Sequence, residues 1–157
     1  MTTVLPLGDL RSQVGREVAV SPWFEVTQAV IDEFAEATLD SQWIHVDTGR
    51  AARESPFRNA AGERCTVAHG FLTLSLLTHF IESSITFTGV QAGVNVGFER
   101  VRFLGPVPAG CRLRGRFTLE ACDEVRGGAQ LTWDVKVERE GEPRPVLGAT
   151  WLTRLWR

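Results

Sequence analysis

The sequence predicts a single α+β domain in which an antiparallel sheet of about five strands wraps around one long central helix. Helical patterns fill the first half of the chain and strand patterns fill the second half, a separation that is typical of α+β folds rather than of alternating α/β folds. The second helix is apolar on nearly every side, so it needs surrounding structure to bury it. A chain of 157 residues, 43% of them hydrophobic, can form one such core, and we expect residues 1–157 to form one domain.

Two main helices are predicted in the first half. The first runs from Gln28 to Thr38, with Thr27 as its N-cap. The second runs from about residue 67 to residue 80 and carries leucines around its circumference. Because a helix that is apolar all round is expected to be buried all round, this helix should be fully enclosed. A short polar helix or turn is expected at 47–54, and a loop at 55–64.

Four segments rich in β-branched and aromatic residues supply the sheet: 94–103, 111–121, 129–137 and 146–155, with a further strand near 17–25. In the second of these segments polar and apolar side chains alternate, and the two sets are Arg112, Arg114, Arg116 and Leu113, Phe117, Leu119. One face is therefore solvent-exposed and the other apolar, which indicates an antiparallel sheet whose inner face packs on the helix. One helix held by such a sheet is the hotdog arrangement.

Composition and targeting signals exclude several classes of function. The formal net charge of -2 disfavours a general nucleic-acid binder. The three cysteines are widely spaced with no Cys-x-x-Cys pair, which disfavours both a disulfide framework and a zinc site. No signal peptide is visible, and the longest stretch without charged residues, 65–81, is too short and too polar to span a bilayer. We therefore expect a cytoplasmic protein with no nucleic-acid or membrane partner.

The first chemically informative motif is Asp-Ser-Gln-Trp-Ile-His at residues 40–45, directly after the first helix. A carboxylate and an imidazole in one tight loop, Asp40 and His45, can converge on a single water and pass protons in both directions. A structural interpretation is also available, in which Asp40 is a turn residue and His45 bonds to the backbone. The pattern alone leaves both interpretations open.

The second motif is Thr-Val-Ala-His-Gly-Phe at residues 66–71, where the chain enters the second helix. A helix N-terminus exposes unpaired N–H groups, and Gly70 has no side chain to keep a ligand oxygen away from its amide. This is a reasonable cradle for an oxyanion. Alternatively, Gly70 lets the sheet pack closely on the helix, and His69 is a hydrogen-bonded structural histidine. His79 is expected to be a helix-end residue without a functional role.

The third motif is Val-Arg-Phe-Leu-Gly-Pro-Val-Pro-Ala-Gly at residues 101–110, which predicts a strand followed by a proline-stiffened turn. Sheet architecture explains all of it except Arg102 and, nearby, Arg100. The three motifs in this order resemble the MaoC-like dehydratase family, the (R)-specific enoyl-CoA hydratases with a hotdog fold. The stretches DSQWIHVD and TVAHGFLTLSLL most resemble the branch that includes nodulation protein N. The resemblance covers roughly residues 15–155.

The resemblance implies a role for each motif residue. Asp40 and His45 would form the catalytic dyad, and Gly70 would donate its amide to a thioester carbonyl. Many members carry Asn-Pro inside the dyad loop where this chain has Gln42 and Trp43, and some use a helix serine near the position of Thr78. Substrate contacts are expected from six residues, with the two arginines as candidates for binding carrier phosphates: Gln42, Trp43, His69, Phe71, Arg100 and Arg102.

The implied reaction is reversible syn addition of water to a trans-2-enoyl thioester, giving an (R)-3-hydroxyacyl thioester. No metal or other cofactor is expected, because the thioester of coenzyme A or of acyl carrier protein is itself the substrate. Two other functions remain possible on this fold, an acyl-CoA thioesterase and a non-catalytic hotdog subunit that binds acyl chains. A homodimer, or a multiple of it, is expected because dimerisation covers an unpaired sheet edge.

Overall fold

A computed structural model describes residues 2–157. The order of elements along this part of the chain is β1 (Thr3–Pro6), a 3₁₀ helix (Leu7–Gln13), β2 (Glu17–Val20), β3 (Phe24–Val26), α1 (Gln28–Thr38), α2 (Trp43–Val46), α3 (Thr48–Glu54), α4 (Gly70–Glu82), β4 (Ile85–Thr88), β5 (Ala92–Phe103), β6 (Cys111–Val125), β7 (Gly128–Arg139) and β8 (Leu147–Trp156). The helix-first, strand-later order that the sequence predicts is therefore present, with β5 to β8 at the four predicted strand segments.

The main sheet is antiparallel and follows the order β2–β6–β7–β8–β5, with β3 paired to β6 beyond β2. The single strand expected near 17–25 is instead two short strands on the same neighbour. Pro22 has no amide hydrogen to give to a ladder, and the chain bends there. Ser21 keeps contact across the break, since its amide donates to the Gly115 carbonyl and its hydroxyl accepts from the Gly115 amide, both at 2.9 Å.

Two further strands, β1 and β4, were not expected from the sequence. They form a separate two-stranded parallel pair, in which Thr3 to Pro6 lies beside Ile85 to Thr88. Each has only four residues, which is too few for alternation to be distinguished from chance. Their pairing joins the N-terminal segment to the chain that leaves α4.

The inner face of the sheet packs on α4, as the alternation in β6 indicates. Leu113, Phe117 and Leu119 are fully buried. Gly115 lies between them, where an added Cβ would come within 2.9 Å of the Phe80 Cβ on α4. The glycine therefore lets helix and sheet approach more closely than any other residue would permit. Trp133 fills the centre of this core, and its indole N–H donates to the Thr153 hydroxyl at 3.0 Å.

The expectation that α4 is buried all round is wrong for the single chain. Its buried side chains are Leu72, Thr73, Leu77, Phe80 and Ile81. Phe71, by contrast, is 66% exposed, and Leu74 and Leu76 are only half-buried. One strip of an apolar helix thus remains open to solvent, although its composition is that of a buried helix.

Helices α1 and α3 lie where the sequence predicts them, whereas α2 and the 3₁₀ helix were not predicted, and α4 begins at Gly70 rather than near residue 67. The hydroxyl of Thr27 accepts from the amide of Val30 at 3.3 Å and caps α1 as predicted. Asp47 caps α3 in the same way through the amide of Arg50. Within residues 2–157, no helix combines the length and the apolar character needed to cross a bilayer. The three cysteines are free thiols, and burial raises the pKa of each.

Candidate functional site

Asp40 follows a sharp turn at the end of α1. The helix ends at Leu39, which has φ 61 and is the one non-glycine residue with positive φ among residues 2–157. A leucine rarely adopts this left-handed conformation, and here it redirects the chain immediately before the acidic residue. The Asp40 side chain is 55% exposed, while its main-chain carbonyl points inward and accepts a hydrogen bond from the ring of His69.

His45 lies on the single-turn helix α2 and is fixed at both its backbone and its ring. Its carbonyl accepts from the Gln28 side-chain amide at 2.8 Å. Its ring Nδ1 lies 2.6 Å from the Val67 carbonyl oxygen, and because a carbonyl only accepts, Nδ1 is the donor. The hydrogen bond therefore leaves Nε2 as the nitrogen that can gain or release a proton.

The segment that leads into α4 connects the dyad loop to the sheet. The Val67 amide donates to the Ile44 carbonyl at 3.1 Å, so Val67 holds α2 through both of its main-chain groups. On the other side, the Ala68 amide donates to Val107 at 2.8 Å, and the Ala109 amide donates to Thr66 at 3.0 Å. The proline-containing turn of the third motif thus supports the strand-like entry to α4, in agreement with the structural interpretation of that motif.

His69 is the N-cap residue of α4 and is 3% exposed. Its Nε2 lies 2.9 Å from the Asp40 carbonyl oxygen. Its ring stacks on the ring of His45, with centroids 3.7 Å apart and an angle of 26° between the planes, and Phe34 closes another side at 5.1 Å. His69 therefore lies behind His45, between the loop and the helix entrance. Its predicted contact with substrate remains a prediction.

Asp40, His45 and His69 offer nitrogen and carboxylate oxygen atoms that all lie within 4.8 Å of one another. Two groups at that spacing can share a single water, because two hydrogen bonds of about 2.8 Å meeting near the water angle span roughly 4.5 Å. A metal ion suits the arrangement poorly. The lone pairs of the two nearly parallel rings cannot converge on one ion at about 2.0–2.1 Å, and His69 Nε2 is already bonded to the backbone.

Gly70 begins α4, so its amide has no partner within the helix. It lines a cavity of about 460 Å³ together with Val67, Thr73 and Phe103. A Cβ added to Gly70 would lie 3.1 Å from the Phe103 ring. Glycine at this position therefore permits close packing against Phe103 and also leaves the amide accessible. Asp40 and His45 do not line this cavity. They lie next to it, since Val67 both lines the cavity and bonds to His45.

The other predicted substrate contacts lie on three elements: the start of α2, the first turn of α4, and β5. Gln42 is exposed at the start of α2, and Trp43 is half-buried beneath the Arg50 guanidinium, which lies 4.1 Å from the indole centroid. Phe71 packs edge-on against Phe103 at 5.8 Å.

The two predicted phosphate-binding arginines lie on strand β5. Arg100 and Arg102 are exposed there. Strand alternation places their side chains on the opposite face from Phe103, which is the side chain that contacts Gly70. In the single chain these arginines are therefore directed away from the cavity beside Gly70. Their predicted contact with the carrier stays a prediction.

Comparison with known proteins identifies the family. Residues 9–140 match the MaoC like domain. The chain belongs to this family. It is 47% identical to nodulation protein N of Rhizobium leguminosarum bv. viciae, covering 95% of this chain and 90% of the relative. It is 39% identical to 3-hydroxyacyl-thioester dehydratase Z of Mycobacterium tuberculosis (strain ATCC 25618 / H37Rv), covering 98% of both.

A solved structure confirms the fold. The unliganded (R)-hydratase PhaJ1 from Pseudomonas aeruginosa superposes with a TM-score of 0.68 at 19% identity, covering 92% of this chain and 82% of that one. At that level of identity the likeness establishes the shared architecture. The predicted membership of the MaoC-like family and the predicted hotdog fold are both confirmed.

In this MaoC-like domain one supporting residue was missed by sequence reasoning. The side chain of Gln28 forms three hydrogen bonds. Its NH₂ group donates to the His45 carbonyl and to Asp32, each at 2.8 Å, and its oxygen accepts from the Thr66 hydroxyl. It thereby joins α1 to the segments that carry the first and second motifs. A glutamine at the first position of a helix carries no sequence signal for such a role, because its partners lie 17 and 38 residues away.

Proposed function

We propose that this MaoC-like domain is an (R)-specific enoyl-CoA hydratase, a hydro-lyase that adds water reversibly to a trans-2-enoyl thioester. The observation that supports this most directly is the spacing of Asp40 and His45: a carboxylate oxygen and a ring nitrogen lie within 4.8 Å of each other, beside a helix that begins at Gly70. A carboxylate and an imidazole at one-water spacing, next to an unpaired amide, meet the needs of hydration at a carbon–carbon double bond conjugated to a thioester.

In the forward direction the dyad orients one water over C3 of the substrate. Asp40 accepts a proton from the water as its oxygen bonds to C3, while Nε2–H of protonated His45 delivers a proton to C2. A proton then passes from Asp40 to His45, which restores both groups, so that the net change is addition of H and OH to one face of the double bond. The two groups act as a coupled pair, and the reverse sequence removes water.

Gly70 would stabilise the charge that develops on the thioester oxygen during this step. Its amide is free of an intrahelical partner, and Gly70 lines the 460 Å³ cavity. The N-terminal end of α4, a helix of 13 residues, adds a partial positive charge at the same place. A donor of this kind contributes about 2.7–4 kcal/mol to transition-state stabilisation.

The acyl group is activated by its thioester bond to the carrier, which is part of the substrate, so no metal or other cofactor is proposed. The carrier is coenzyme A or acyl carrier protein, whose phosphate groups would bind arginines such as Arg100 and Arg102. A cytoplasmic location and action of residues 1–157 as one unit belong to the same proposal.

We propose that the working form is a homodimer or a multiple of it, formed through β5. This strand lies at the end of the sheet order and exposes Val94 at 45%, Val96 at 49% and Phe98 at 37%. An apolar edge strand of 12 residues that is paired on only one side invites association. Sedimentation should show a dimer at micromolar concentration, and Val96→Glu should yield monomer, whereas Val14→Glu in a distant turn should not. A wild-type monomer would contradict the proposal.

The function is tested with crotonyl-CoA and with longer enoyl-CoA substrates. Wild-type protein should remove the ultraviolet absorbance of the enoyl group without releasing free thiol, and Asp40→Asn should lower that rate by at least about 10²-fold. Release of free thiol would instead indicate an acyl-CoA thioesterase. Binding of acyl thioesters without either reaction would indicate a non-catalytic acyl-binding subunit.

A further inference from the structure

We infer that His69 is a positioning residue that holds both members of the Asp40–His45 dyad, and that it is neither a proton donor to substrate nor a substrate ligand. The inference rests on the proposed function, because it assigns His69 a part in that reaction. It starts from a buried, polar ring that the proposed mechanism does not use. At 3% exposure, this ring lies beneath the two groups that would act on the substrate.

The first contact fixes the position of Asp40. His69 Nε2 donates to the main-chain carbonyl of Asp40 at 2.9 Å, whereas the Asp40 carboxylate oxygen is 4.0 Å from the same nitrogen. The ring therefore holds the backbone of the acidic residue and leaves its carboxylate free for water. Leu39, immediately before, is in the left-handed conformation, and a backbone turn of this kind persists only where surrounding contacts maintain it.

The second contact fixes the plane of His45. The hydrogen bond from His45 Nδ1 to Val67 holds one atom of that ring, but a single bond leaves the ring free to tilt about it. The face of His69, 3.7 Å away and tilted by 26°, removes that freedom. Together the two contacts direct Nε2 of His45 to one place.

The bonding also determines which ring nitrogen of His69 carries a hydrogen. Because the Asp40 carbonyl only accepts, Nε2 carries the hydrogen. Nδ1 is buried and has no partner among the described residues, so an added proton there would be a buried donor without an acceptor, which is costly. The ring of His69 therefore presents its Nε2–H to the Asp40 carbonyl and its face to His45.

Two matched variants separate the two contacts. His69→Phe keeps a flat ring that can stack on His45 but cannot donate to Asp40, and His69→Gln keeps a donor but removes the ring. We expect each to lower kcat, by up to about 10²-fold, as is typical when a reacting group is displaced by roughly 1 Å. KM should change by no more than about threefold, because the residues that contact substrate stay in place. His79→Gln, an exposed histidine on the same helix, is the control and should leave both unchanged.

Nuclear magnetic resonance of the histidine rings gives a readout that does not depend on activity. Long-range ¹H–¹⁵N spectra of wild-type protein should show a hydrogen on Nε2 of His69, and the ring signals of His45 should shift in both His69 variants. A hydrogen on Nδ1 of His69, or His45 signals that stay unchanged in both variants, would overturn the positioning role.

The kinetic outcomes distinguish the two proposals. If wild-type protein hydrates no enoyl thioester, the proposed function fails, and the spectra still decide whether His69 holds His45. If wild-type protein is active and both His69 variants retain its kcat within about twofold, the inference alone fails. A larger rise in KM than fall in kcat would assign His69 to substrate binding and would also overturn it.

Discussion

The sheet region, formed by the inner faces of β6, β7 and β8, and the loop region, residues 39–69, meet α4 in different ways. The sheet region surrounds the body of the helix with fully buried apolar side chains such as Phe117, Leu131 and Trp133. The loop region ends at His69, the N-cap of α4, and it is held in place by a small set of directed hydrogen bonds and one ring stack. Burial is non-directional and sums over many contacts, whereas each hydrogen bond fixes one atom. The sheet region should therefore govern stability, and the loop region should govern geometry.

The largest effect is expected from a change at the centre of the sheet region. Trp133→Ala removes a fully buried indole and leaves the Thr153 hydroxyl without its donor. We expect a loss of about 3–5 kcal/mol in the free energy of unfolding, measured with urea. The activity of the molecules that remain folded should be close to that of wild type. The matched control is Trp23→Ala, because Trp23 lies on the outer face beneath Arg114 at 4.5 Å, where the loss should be about 0.5–1 kcal/mol.

The converse pattern is expected in the loop region. Asp40→Asn should lower the hydration rate by at least about 10²-fold and change the free energy of unfolding by less than about 0.5 kcal/mol. The reason is that the structural hydrogen bond of Asp40 uses its main-chain carbonyl, which asparagine keeps, while the carboxylate is 55% exposed. Asp123→Asn, at an exposed position on β6, should change neither quantity. A strongly destabilised Asp40→Asn protein would contradict the claim that the loop region governs geometry rather than stability.

Gln28 affects both stability and geometry, because it contacts the segments that carry the first and second motifs. Gln28→Leu leaves the His45 carbonyl and the Thr66 hydroxyl without their partner, and we expect a loss of about 1–3 kcal/mol in stability. The hydration rate should fall as well, since α2 is released at its carbonyl side. Gln91→Leu, at an exposed position, is the control. A variant that loses stability but keeps full activity would show that the Val67 bond and the His69 stack suffice to hold His45.

The sheet region and the loop region also differ in how well the sequence predicts them. The alternation of Leu113, Phe117 and Leu119 is a local pattern, and it predicted the buried face of β6 correctly. Thr27 was predicted as a cap for the same reason, because its partner Val30 is three residues away. Patterns of this kind repeat within a few residues, so the sequence alone displays them.

The loop region shows where such reasoning ends. The stack of His45 on His69 joins residues 24 apart in sequence, and no local pattern encodes the distance between two rings. The same holds for the exposed strip of α4 at Phe71, because sequence shows that a helix is apolar but not which part of its surface the rest of the chain covers. The motifs of a known family supplied the identity of the site residues, while their mutual geometry came from the fold.

The smallest effect is expected on the solvent-exposed face of the sheet, where ion pairs are numerous. Arg116 bonds both carboxylate oxygens of Glu17 at 2.8 Å and lies 3.5 Å from Glu138. The hydrogen bond to Glu17 raises the pKa of Arg116. The guanidinium therefore keeps its charge, and the ion pair persists, throughout the pH range in which proteins stay folded. Arg116→Ala should nevertheless cost only about 0.2–1 kcal/mol, because water and side-chain entropy offset most of the attraction.

Salt provides the decisive measurement for this last prediction. Raising the ionic strength to about 1 M shortens the screening length to roughly 3 Å, so the difference in unfolding free energy between wild type and Arg116→Ala should shrink. The difference for Trp133→Ala should persist, since burial of apolar surface does not depend on screening of charge. An Arg116→Ala loss that stays constant in salt would mean that the arginine stabilises the sheet by packing its methylene groups over β2 and β7, so that even the solvent-exposed face is held by contact rather than by charge.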